Sequence, residues 1–126
     1  MGQSGSRAHT NGRPRLKRVH AIYLYGSRGE VMAQIIDQLK QQTYLDRANI
    51  QELIRQLRTL HTGLRSDNAQ LNLNRMFESA LLHMIEYLQF EPDLQKTELK
   101  QFIVRLTELR KAHNKSFQKL YNAFEI

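Results

Sequence analysis

The chain has 126 residues, no cysteine and a net charge of +7, a length that suits one domain with a core of its own. The lack of cysteine excludes a disulfide framework, thiolate metal sites and cysteine nucleophiles. No apolar run approaches the roughly 18 residues that a membrane-spanning helix needs, and no apolar stretch follows the charged N-terminus as a secretory signal would require.

The charge is uneven. Residues 1–20 hold Arg7, Arg13, Arg15, Lys17 and Arg18 and no acid, whereas the other 106 residues carry 14 basic and 12 acidic side chains. Residues 1–20 are also rich in Gly, Ser, Asn and Pro, and they read as a disordered basic tail because they cannot bury enough apolar surface to offset their ordering entropy. The domain proper is expected over residues 21–126. Met1–Ser6 match the N-myristoylation pattern through Gly2 and Ser6. The pattern is short, and a Gly/Ser-rich start is common without the modification, so a membrane anchor ranks low. Five tail charges support weak, unspecific nucleic-acid binding at most, and no recognition motif accompanies them.

Ala21–Tyr25 is a short apolar segment, read as an added strand or a short helix. Ser27 and Glu30 have capping-box spacing, which predicts a first helix from there to about Gln42, with Val31, Met32, Ile35, Ile36 and Leu39 as its stripe. Asp46 is an N-cap candidate for a second helix carrying Ile50, Leu53, Ile54, Leu57 and Leu60, with Gly63 near its end. Ser66 or Asp67 then starts a third helix, whose apolar residues run from Leu73 through Phe77, Leu81 and Ile85 to Leu88 before Pro92. The last helix begins at about Thr97 and keeps Leu99, Phe102, Leu106, Leu109, His113, Phe117, Leu120 and Phe124 on one side. No segment of useful length alternates with period two. The expected fold is therefore all-α, an antiparallel four-helix bundle.

Little in this pattern suggests catalysis. His9 and His20 lie in or at the end of the tail, and His61, His83 and His113 sit singly on three predicted helices, without HExxH or ExxH spacing. A structural or solvent-facing role outweighs a catalytic one, because catalytic and ligand histidines need positioned partners. The carboxylates are scattered beside lysines and arginines as on a solvated helix surface. The reading is a non-enzyme with no cofactor and no metal.

Asn72-Leu73-Asn74-Arg75-Met76-Phe77-Glu78 resembles the "NLxxLYxY" start of the third helix in the flagellar secretion chaperone FliS. Phe102 to Ala112 resembles that family's "VIxLLxELRxAW" helix, with His113 at the place of the usual tryptophan. Ser27–Val31 with Ile36-Asp37-Gln38 is similar to "SPxELxxxLYDG", although Arg28 replaces the proline and Ile36 the tyrosine. The likeness covers about residues 22–113. It departs in a shorter first connection and in a basic rather than acidic charge.

The resemblance implies a cytoplasmic export chaperone that binds the C-terminal segment of flagellin as short helices in apolar grooves and prevents premature polymerisation. It implies that Ile36, Asp37, Leu73 and Phe77 line or support the client groove, with Tyr23 and Tyr25 in an N-terminal segment that covers it. A second reading is a non-catalytic helical module that self-associates as a homodimer through the apolar face of Phe117, Leu120, Tyr121 and Phe124.

Overall fold

The computed structural model describes residues 2–124, with side chains from Leu16 onward. Four helices account for nearly all of it: α1 (Gly2–Lys40), α2 (Arg47–Leu71), α3 (Met76–Gln89) and α4 (Lys96–Ala123). They pack in the ring α1–α2–α3–α4–α1 as an all-α, antiparallel four-helix bundle, with no strand among the described residues. The loops before α2 and before α4 meet at one end. There Leu45 and Leu94 exchange both backbone hydrogen bonds, at 3.0 and 2.9 Å, as an isolated antiparallel bridge. The other end gathers the α2–α3 loop and the last turns of α4, with α1 passing beside them.

The first helix does not start at Ser27, and Ala21–Tyr25 is no separate element. Ala21, Ile22, Tyr25, Met32, Ile35, Ile36 and Leu39 are all buried at helical spacing, so one apolar stripe runs unbroken through Gly26–Ser27. Ser27 lies inside α1 and donates its hydroxyl to the Leu24 carbonyl at 2.5 Å. Gly26 and Gly29 are contact points with α4. A Cβ on Gly26 would lie 2.5 Å from the Phe117 ring, and one on Gly29 would lie 2.7 Å from Asn114 Oδ1. The expected disorder of residues 1–20 falls, up to Arg15, on side chains outside the described residues; Leu16–His20 continue α1.

Asp46 caps α2 as expected, accepting the Asn49 N–H at 2.8 Å. Gly63, however, does not end that helix, and neither Ser66 nor Asp67 begins another. α2 continues to Leu71 and stops where Asn72 turns left-handed at φ 54°, a conformation asparagine tolerates better than most residues. Gly63 instead makes room for Arg28, whose guanidinium would lie 2.7 Å from an added Cβ. Arg28 there holds buried Asp67 with two hydrogen bonds of 2.8 and 3.0 Å. Arg47 closes the far end of α3, donating to the carbonyls of Leu88, Gln89 and Glu91. α4 opens with Glu98 accepting the Gln95 N–H at 3.0 Å.

The C-terminal half of α4 lies along α1. Phe117, Leu120 and Phe124 are half-buried against the core, Tyr121 meets Tyr23 edge-on at 6.2 Å, and Arg18 stacks over the Phe124 ring at 5.4 Å. The apolar face considered for self-association is thus partly covered within the same chain.

Candidate functional site

Where the bundle's seams are closed, the reason is the side chains just described: small residues let α1 approach α4, and an ion pair ties α1 to α2. The seam between α3 and α4 has no such glycine and, among the described residues, no ion pair. These helices are joined by a short loop, yet they pack least closely of the adjacent pairs and leave an open groove of about 520 Å³. Met84, Phe102 and Leu109, all nearly buried, form its floor, while Ala80 keeps its centre low and Tyr87 closes one end. Arg105 and Glu108 supply charge of both signs on the α4 side, and His83 adds a polar group on α3. Residues 79–87 along α3 give the groove a length of roughly 12 Å at 1.5 Å per residue, about two turns of a docked helix. Burial holds the Tyr87 phenol above its ordinary pKa, and the nearby Glu91 and Glu98 carboxylates push the same way. Further hydrophobic surface is exposed on both helices, at Leu82 on α3 and Val104 on α4.

Ser79, His83 and Glu108 line this groove together, yet no hydrogen bond joins any two of them. Among the described residues no group of three or more His, Cys, Asp or Glu side chains could hold a metal ion, and no helix is long and apolar enough to cross a membrane.

The six residues singled out from sequence do not share one surface. Tyr25 is fully buried inside α1, not part of a covering segment; its hydroxyl donates to Ser116 Oγ at 2.9 Å, and its ring lies 4.3 Å from that of His113. Phe77 is buried against the same histidine, with ring centres 5.9 Å apart. Ile36 is in the core, and Asp37 beside it faces solvent. Leu73 is half-buried in the α2–α3 loop, held by a 2.9 Å bond from its N–H to the Asn68 carbonyl. Tyr23 is half-exposed on the outer side of α1. The structure thus joins Tyr25 and Phe77 through His113 and keeps the other four apart.

Sequence reasoning missed the α3–α4 groove itself. No apolar residue beyond a single stripe marks it: Leu82 and Val31 are exposed beside buried Leu81, Ile85 and Met32, but none of these lines the groove.

Comparison with family models, with curated proteins and with solved structures finds no match.

Proposed function

We propose that this chain is a non-catalytic helical binding protein of the cytoplasm, an export chaperone of the FliS type, whose α3–α4 groove receives an amphipathic helix from the C-terminal segment of flagellin. The observation that carries the reading is the open seam: two helices tied by a short loop leave a groove with a buried apolar floor, two helical turns long. Helix-in-groove recognition needs such a lane, into which a client places anchors at i, i+3 or i+4 and i+7. The mixed charge of Arg105 and Glu108 on one wall would fix the client's register and direction. The FliS-like residues support the choice of client. Tyr25, Ile36 and Phe77 act from the core by setting how the helices sit, and Tyr23, Asp37 and Leu73 are accessible for contacts outside the groove.

The test is titration of a labelled flagellin C-terminal peptide, read by fluorescence anisotropy, against the wild type and an Ala80→Trp variant that fills the groove. Ala80 is exposed, so the substitution should leave the melting temperature near that of the wild type while weakening binding by tenfold or more, the equivalent of about 1.4 kcal/mol. Failure of the wild type to bind the peptide would reject flagellin as client. Unchanged binding by Ala80→Trp would reject the groove.

A further inference from the structure

Folding sorts the charges along the bundle. The half that carries the α2–α3 loop and the last turns of α4 holds nine basic side chains among residues 16–124, against two acidic ones. Both acids are already engaged: Asp67 is held by Arg28, and Glu78 by Arg75 at 2.8 Å. The opposite half, with the α1–α2 and α3–α4 loops, is slightly acidic, with seven basic residues against nine acidic. Lys17, Arg65, Lys111, Lys115 and Lys119 are all exposed on the basic half, with no carboxylate hydrogen-bonded to them among the described residues. Arg7, Arg13 and Arg15 precede them in the sequence.

Large apolar groups are interleaved with this charge. Leu16 is 69% exposed, and Tyr23 and Leu24 are also exposed on α1. An open cleft of about 660 Å³ between α1 and α2 is lined by Leu16, Lys17, Arg18, His20, Ala21 and Gln70, with no acid among them. A nucleic-acid backbone would use the charge and leave the leucines in water. The surface of an anionic bilayer uses both, because lysine and arginine meet headgroup phosphates while leucine and tyrosine enter the acyl boundary.

We propose that the basic, leucine-bearing end of the bundle docks peripherally on anionic phospholipid membranes. The charge is shared by α1, α2 and α4 in one half of the bundle, and the α3–α4 groove lies along a different seam. The docking is therefore independent of which client, if any, occupies the groove.

Co-sedimentation of the full chain with vesicles of phosphatidylcholine, with and without phosphatidylglycerol, tests this. The protein should partition onto the anionic vesicles only, and less so as salt rises. Each basic residue near an anionic leaflet is worth roughly fivefold in binding, so Lys17→Gln/Lys115→Gln/Lys119→Gln should lose about a hundredfold. Leu16→Ser/Leu24→Ser leaves the charge unchanged and should lose roughly tenfold or more on vesicles, with no change in binding to duplex DNA. Circular dichroism of each variant should match the wild type, since all five side chains are exposed. Absence of partition onto anionic vesicles at low salt would overturn the proposal. So would binding that ignores the leucine substitutions and is equalled by DNA, for that would mark a general polyanion site.

Discussion

Replacing His113 with leucine should make the protein resistant to mild acid. His113 is fully buried, and neither ring nitrogen has a hydrogen-bond partner among the described residues. Burial drives its pKa from 6.5 down to about 4, and the Arg28 guanidinium adds to the shift. The Asp67 carboxylate and the Tyr25 backbone oppose it without reversing it. From α3, Phe77 contributes only an aromatic edge. Because the folded state keeps the ring neutral, the unfolded chain takes up the proton first as pH falls. The contribution is fully present above about pH 6.5 and is lost as pH drops through 4, which amounts to about 3 kcal/mol at pH 4. That is a large share of the roughly 5–15 kcal/mol that stabilises a domain. Urea unfolding followed by circular dichroism, at steps from about pH 7 to about pH 4, should show the two proteins diverging in favour of His113→Leu. Glu78, held below the ordinary carboxylate range by hydrogen bonds from Arg75, adds its own loss of stability in acid, but it does so in both proteins and cancels in the difference. A constant difference between the two stability curves across this range would refute the reasoning.

Gly26→Ala sets a methyl group 2.5 Å from the Phe117 ring and should destabilise by about 1–3 kcal/mol, as overpacked sites do, measured by thermal denaturation. Arg28→Met strips the partner from Asp67, which is 1% exposed, and should cost about 3 kcal/mol or more in chemical denaturation. The double variant Arg28→Met/Asp67→Leu should recover much of that loss, because no buried charge is left unpaired. Ending the chain after His113 removes Phe117, Leu120 and Phe124 from α1 and should lower the melting temperature by about 5 °C or more. Analytical ultracentrifugation should find the same oligomeric state before and after, since that face already packs on α1 of its own chain.

The helical class was legible because periodicity is carried by many residues at once. The stripes of α2 and α4 read directly as Ile50–Leu53–Leu57–Leu60 and Leu99–Phe102–Leu106–Leu109, all of them buried. Boundaries rested on one or two residues each and were more easily misread. Ser27–Glu30 has the spacing of a cap, but the apolar register from Ile22 through Tyr25 to Met32 continues across it and burial prevails. Gly63 has the look of a helix end, yet it serves the Arg28 side chain arriving from another helix. Nothing local distinguishes a glycine that ends a helix from one that admits a neighbour. The spacing of His113 sets it on the buried side of the last helix; that its ring nitrogens find no partner among the described residues depends on how α1 and α3 pack around it.

The groove and the charged end escaped the sequence for a different reason, which is that both are properties of topology. A groove is packing that does not occur, and no residue pattern on α3 or α4 announces that two neighbouring helices will stay apart. Charge behaved likewise. Counted along the chain, the excess belongs to residues 1–20, and the remainder looks nearly neutral. An up-down-up-down bundle, however, returns the end of α4 and the end of α2 to the level where α1 emerges from its basic segment. Lys111, Lys115 and Lys119, four residues apart on one exposed face, then share one half of the bundle with Lys17 and Arg65, while Asp37, Asp46, Glu91 and Asp93 collect in the other. The apparent basic tail on a neutral domain is thus one pole of a molecule polarised along its length. Any partner attracted by charge will meet that end first.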